Sequence, residues 1–242
     1  MERGRLGRGR AEVRGGARLS PRDTRALVAG GTGRVGSAIA SRLTANGWRV
    51  VAAGRADGDL ATAAGASRLV EHALAELGGL DLVVHAAGDG FVAKPVAEVT
   101  EEDWDAALGA TAKGTLFLAQ AATAALTASS GVYVIVEDVA AFQPWPSFAA
   151  HCAAKAAQAM LTRLLAIALA PDVRVCGVAP GPVAVEPGRE SRRAAETLLG
   201  RVGSPDDVAE AVLYLAGAGF VTGATLVVDG GSMLKSGARR RP

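Results

Sequence analysis

From Arg25 onward, short apolar runs alternate with stretches whose apolar residues recur at helical spacing. Ala26–Ala29 is apolar throughout and runs into glycines, the pattern of a buried strand. Arg34–Asn46 carries Val35, Ile39 and Leu43 four residues apart and stops at Gly47, which predicts a helix. Trp48–Ala53 predicts a second strand and Ala64–Leu77 a helix ending at Gly78-Gly79. Leu80–Ala86 is a third apolar strand. Glu101–Ala128 reads as one long helix, with Thr100 and Asp103 at capping-box spacing. Val132–Val136 is a strand, and Ser147–Ala170 a second long helix stopped by Pro171. Val173–Val178 is a strand closed by Pro180-Gly181-Pro182. Ser204-Pro205-Asp206-Asp207 caps a helix that runs to about Ala216, and Ala224–Val228 is the last strand.

Strands that are apolar on both faces and separated by helices specify a parallel sheet covered on both sides. Right-handed crossovers then give a single doubly wound, Rossmann-type α/β domain. It is expected over residues 23–234, between a leader (1–22) and a tail (235–242). A chain of 242 residues, half of them apolar, supports one sizeable core. The net charge of +2 hides an uneven distribution: residues 1–25 carry +5, the segment after Leu234 carries +4, and the body between them −7. An acidic body gives no nucleic-acid footprint. The Arg/Gly-rich leader is aperiodic and reads as disordered. It lacks the apolar stretch of a signal peptide. No run approaches the ~20 apolar residues of a membrane span. A cytoplasmic protein with no membrane partner is expected. Cys152 and Cys176 match no metal spacing, so no metal is expected.

The first strand leads into Gly30-Gly31-Thr32-Gly33-Arg34-Val35-Gly36, which opens a helix. Glycines let the backbone turn tightly against a pyrophosphate, and the helix N-terminus offers free N–H groups. The second strand ends in Ala53-Gly54-Arg55, where an acidic residue would select NAD. Arg34 and Arg55 instead favour a 2′-phosphate through charge-assisted bonds, so the expected cofactor is NADP(H). Asp57 and Asp59 lie close behind, and solvated surface charge is the alternative for each arginine.

Over about residues 25–233 the chain resembles the short-chain dehydrogenase/reductase family. The matching stretches are VAGGTGRVGSAIA, LGGLDLVVHAAG, WDAALGATAKGTLFLAQAA, HCAAKAAQAMLTRLLAIALAPDVRV, GVAPGPV, GSPDDVAEAVLYLA and FVTGATLVVDGG. The segment between the second strand and Gly65 is shorter than the family's usual one, so a helix and a strand are expected to be cut down there. The resemblance implies cofactor contacts from Gly30, Thr32, Arg34, Val35 and Gly36, and from Arg55. It adds the Asp59-Leu60 pair, Ala86, Ala87, Gly88, Thr111 and Lys155, then Pro180, Gly181 and Val183. Arg34 together with Asp138 is most similar to the pteridine reductase branch, which uses NADPH.

The family's Ser-Tyr-Lys-Asn set falls here on Asp138, His151, Lys155 and Thr111, so only the lysine keeps its identity. The Asn of the family's NNAG falls on His85, for which cofactor contact and plain packing are both open. Asp138, His151 and Lys155 are the candidate catalytic residues. An imidazole titrates near neutrality and serves as general acid or base. The implied activity is hydride transfer between nicotinamide and a carbonyl, alcohol or pterin-like substrate. The alternatives are an NADP(H)-binding sensor or structural protein without turnover, and a non-redox acid–base enzyme on the same fold. Trp145 and Phe91 are placed to flank a flat ring, such as a pterin, a quinone or a polyketide, and Val183–Arg193 reads as a lid. Apolar faces on both long helices predict a homo-oligomer, a dimer or tetramer.

Overall fold

Strand β1 (Arg25–Ala29) sits between β2 (Arg49–Ala53) and β3 (Leu82–His85), with Val28 opposite Ala52 on one side and Val84 on the other. The sheet continues through β4 (Val132–Val136), β5 (Arg174–Pro180) and β6 (Thr225–Val228). The spatial order is β2-β1-β3-β4-β5-β6, all parallel. This computed structural model describes residues 24–89, 91–183, 185 and 187–238. The expected leader at 1–22 lies outside the described residues.

Alternation along each strand divides the core into two layers. Leu27, Val83, Tyr133, Ile135 and Val175 face α2 (Ala63–Leu77), α4 (Gly114–Ser129) and α5 (Ala149–Leu169). Val28, Val84, Val134 and Cys176 face α1 (Arg34–Ala45) and α7 (Pro205–Gly217). The doubly wound arrangement is therefore the one that the apolar pattern dictates. Thr100 and Ser204 each accept from the backbone N–H three residues on, and Asp103 and Asp207 return the bond, so the expected capping box forms at Thr100 and the expected cap at Ser204 is a second one.

Four features differ from the sequence reading. The segment 54–62 is made of turns, so β2 is the edge strand and the expected shortening removes a strand outright. The helix expected over Glu101–Ala128 is broken: α3 (Glu101–Leu108) and α4 are joined by a π-turn at Gly109–Lys113. The break falls where the helix passes the 59–62 segment. A side chain on Gly114 would press on Leu60 and on His85 Nε2, at 3.1 and 3.3 Å. Two short helices were not anticipated, α6 (Glu190–Ala194) and α8 (Ser232–Ala238), the latter crossing the expected boundary at 234. Finally, Pro146–Leu169 is a 24-residue helical run containing an 18-residue window of mean hydropathy 1.3, long and apolar enough by length and composition to cross a membrane. That corrects the expectation that no stretch comes near this length. Its Lys155, Gln158 and Thr162 are buried against the sheet, the signature of a core helix.

Candidate active site

The glycine loop is shaped by close approach. Gly30 has φ +84°, and its N–H and that of Gly31 both donate to the Ala53 carbonyl at 2.9 Å. A Cβ on Gly30 would lie 2.6–2.8 Å from the backbone of Ala86 and Ala87, so only glycine fits. A Cβ on Gly36 would collide with the Gly30 carbonyl. The first turn of α1 follows Gly33, which supplies no side-chain cap, so its N–H groups remain available to an anion. This cradle suits a pyrophosphate.

The cradle opens onto a cavity of about 760 Å³ at the carboxyl ends of β1, β3, β4 and β5, where open α/β sheets bind ligands. Of the expected cofactor residues, Arg34, Val35, Gly36, Ala86, Ala87, Gly88, Lys155, Pro180, Gly181 and Val183 line it. The others do not. Gly30 lies behind the loop, and Thr32 packs where a Cβ on Gly54 would stand. Asp59 caps the turn below it, accepting from Ala61 N at 2.9 Å, and Leu60 is buried in the core. Arg55 is exposed and donates to Asp89, itself a cavity residue, at 2.6 Å. Thr111 is buried in the π-turn, and its hydroxyl has no hydrogen-bond partner among the described residues. A Cβ on Gly88 would stand 3.5 Å from that hydroxyl and 3.9 Å from Lys155 Nζ.

Asp138, His151 and Lys155 meet on the cavity wall. Asp138 follows β4, and its Oδ1 accepts from Ala140 N at 2.8 Å. That bond fixes the carboxylate and leaves Oδ2 3.5 Å from His151 Nε2. This is charge-pair reach without hydrogen-bond alignment, so His151 Nε2 is a buried nitrogen with no hydrogen-bond partner among the described residues. The imidazole is held by rings: Phe91 meets it edge-on at 4.9 Å and Trp145 stacks at 6.5 Å. Phe148 stacks on Phe91 at 4.6 Å. One turn along α5, Lys155 Nζ donates to the Val136 carbonyl at 3.1 Å and to Gln158 Oε1 at 2.9 Å. Burial pulls the Lys155 pKa below its ordinary value, while Asp138 and Glu137 push the other way.

The structure adds residues that the sequence reading passed over. Glu137 lines the cavity beside Asp138, and burial raises its pKa against the Thr162 hydroxyl, which donates to it at 2.6 Å. An acidic pair closing an otherwise apolar strand was the available signal. Arg189, Arg193 and Lys235 line the far side of the cavity. His85 is fully buried and does not line the cavity. The structure therefore places its ring behind the cavity wall, away from the surface a cofactor would touch.

A family model described as enoyl-(acyl carrier protein) reductase matches residues 56–233. The chain is 35% identical to the granaticin polyketide synthase putative ketoacyl reductase 2 of Streptomyces violaceoruber, over 86% of this chain and 96% of that one. Among solved structures it matches a blue fluorescent protein from a metagenomic library in complex with NADPH, with TM-score 0.79, 28% identity, and 87% and 98% of the two chains covered. It also matches the 3-ketoacyl-(acyl-carrier-protein) reductase of Brucella melitensis complexed with NADH, with TM-score 0.82, 26% identity, and 88% and 99% covered.

Proposed function

Because the chain belongs to the short-chain dehydrogenase/reductase family, we propose that it is an NADP(H)-dependent oxidoreductase acting on the carbonyl or alcohol of a planar substrate, or on a pterin-like ring. The observation that carries this reading is the convergence of Asp138, His151 and Lys155 on the wall of the cavity fed by the glycine cradle. The cradle fits a dinucleotide because its glycines leave room for a pyrophosphate and α1 presents unpaired N–H groups to it.

When bound, the nicotinamide supplies or accepts the hydride. The protein's part is the proton and the geometry. In the reducing direction the His151 imidazolium gives its proton to the substrate oxygen or ring nitrogen as the adjacent carbon gains the hydride. The Asp138 carboxylate, 3.5 Å from Nε2, stabilises the imidazolium before the transfer. Lys155, with two of its N–H groups on the Val136 carbonyl and Gln158, would hold the ribose of a bound dinucleotide with the third and keep positive charge beside the substrate oxygen. Phe91 and Trp145 exclude water and offer flat apolar faces to a ring. In this reading His151 takes the part that the family gives to tyrosine.

A second reading, an NADP(H)-binding protein without turnover, is favoured by one detail. His151 is wedged among rings with Nε2 unpartnered, as a residue that merely fills space would be. The experiment that separates the two follows NADPH consumption by the purified protein against ketones, aromatic polyketide analogues, quinones and oxidised pterins. Turnover of any of these supports the oxidoreductase. NADPH binding with no turnover across the panel overturns it in favour of the second reading.

A further inference from the structure

Behind the cavity wall runs a chain of polar side chains that water does not reach. His85, Thr115 and Gln158 are each fully buried, and Lys155 nearly so. His85 Nε2 lies 3.0 Å from the Ala110 carbonyl, which only accepts, so Nε2 carries the hydrogen. His85 Nδ1 is then an acceptor, and Gln158 Nε2 donates to it at 3.0 Å. The second hydrogen of that amide goes to Thr115 Oγ1, also at 3.0 Å. Thr115 passes its own hydrogen to the Thr111 carbonyl at 2.8 Å. These partners fix the amide orientation of Gln158, so its oxygen faces Lys155 and accepts from Nζ at 2.9 Å.

The chain returns to where it starts. Ala110 and Thr111 belong to the π-turn, whose widened backbone leaves carbonyls for His85 and Thr115 to satisfy. The Thr111 hydroxyl and Lys155 Nζ then face the same spot beside Gly88 on the cavity wall. No step tolerates reversal. A flipped Gln158 would set its N–H₂ against the lysine ammonium, and a proton on His85 Nδ1 would meet the amide N–H. Burial favours the same state, pushing the His85 pKa down to about 3.

We propose that Gln158 and His85 are positioning residues for Lys155, forming a directional hydrogen-bond chain that ties the ammonium to the π-turn and sets where it points in the cavity. Only the role of Lys155 toward a bound dinucleotide rests on the function proposed above. The placement of the amine does not.

The test is a titration of Lys155, read by NMR with the lysine side chains carbon-13 labelled and the signal assigned with Lys155→Met. The charged and titratable groups around the amine are Glu137 and Asp138 beyond β4, His85 on β3 and His151 on its own helix, and all stay in place. Gln158→Met removes the acceptor at little cost in volume, so the buried ammonium loses a partner and its pKa falls by about half a pH unit or more. Gln158→Glu replaces the neutral acceptor for Lys155 with a charged one and loses the donor to His85, so the lysine titrates above its wild-type value. This second variant keeps the proposal testable if Gln158→Met fails to fold. NADPH affinity provides the independent arm. Gln158→Met weakens it by about tenfold, but weakens it no further in a Lys155→Met background, because the two act as one unit. A Lys155 titration unchanged in both variants, or losses that add in the double mutant, overturns the proposal. A wild-type protein that binds no NADPH removes the proposed function instead, and the titration still decides this one.

Discussion

Arg55 and Asp89 form an ion pair at 2.6 Å that bridges the segments following β2 and β3, across the carboxyl end of β1. Both side chains are about half exposed or more, at 68% and 47%, so the pair is screened by solvent and contributes little stability. A 2′-phosphate arriving beside Arg34 and Arg55 competes only with this weak pair, and its charge-assisted bonds are worth about 1.5–3 kcal/mol. NADPH is therefore expected to bind at least about tenfold more tightly than NADH. Asp89→Asn releases Arg55 and tightens NADPH without tightening NADH. Arg34→Ala with Arg55→Ala erases the preference. Calorimetric titration of both cofactors checks all three, and equal affinity in the wild type contradicts the assignment.

His85 gives the protein an acid-sensitive core. Its pKa is pushed from 6.5 down to about 3 by burial, aided by the Lys155 charge and opposed by the bond to Ala110. Between these values the unfolded chain binds a proton that the folded chain refuses, so stability is lost as pH falls from about 6.5 toward 3. Where the difference is a full proton, the slope is about 1.4 kcal/mol per pH unit. Denaturant unfolding across this range measures it. His85→Gln, which removes the titrating group, flattens the slope by up to that amount, and an equally steep slope in that variant would count against the account.

The apolar runs announced every strand, the inner ones because a strand buried on both faces has no polar alternation to hide it, while β2 and β6 at the sheet edges are partly exposed and were legible by their apolar residues alone. The same runs announced the glycine cradle, since Gly30 and Gly36 sit between an inner strand and a helix. What stayed hidden depends on contacts between distant segments. The π-turn at Gly109–Lys113 follows from the approach of Leu60 and His85 to Gly114, which no local period records. Gln158 meets His85 across 73 residues, and inside an Ala-rich helix it reads as one more polar position. Asp138, His151 and Lys155 were legible as a set through the resemblance to the family, whose motif positions they occupy, and the helical spacing then puts two of them one turn apart on α5. Trp145 and Phe91 were singled out as walls for a flat ring, but their packing on His151 was not legible.

The outer side of α5 carries Met160, Leu164 and Ile167, exposed at 50%, 53% and 79% and spaced three to four residues apart. On α4, Leu116 is also 43% exposed. An apolar stripe of this kind on a long helix would suit a second copy of the chain. Light scattering at micromolar concentration is expected to show a homo-oligomer, and Leu164→Glu with Ile167→Glu is expected to lower its mass. A wild-type monomer contradicts the expectation.

His151 carries the heaviest burden in the proposed mechanism, and its ring environment makes the test clean. Phe91 and Trp145 hold the imidazole by contact and not by hydrogen bonds, so His151→Ala removes the proton donor while leaving the Lys155 network and the glycine cradle intact. The expected result is a kcat lower by roughly 10²–10⁴, the usual worth of a general acid, with NADPH affinity nearly unchanged. Lys155→Ala, by contrast, weakens both. The sign of the pH dependence follows from the proton's direction. Reduction needs the protonated donor, so its rate falls as pH rises. Oxidation needs the neutral ring, so its rate rises over the same range. His151→Tyr separates a working site from an idle one. If the site works through a proton donor at this position, the pH-dependent limb of the rate moves to higher pH in this variant, because a phenol is a weaker acid than an imidazolium. If activity appears only in His151→Tyr, the scaffold is competent and the natural protein has given up the proton step. Undiminished reduction by His151→Ala sinks the role of the imidazole and leaves Asp138 or water as the donor.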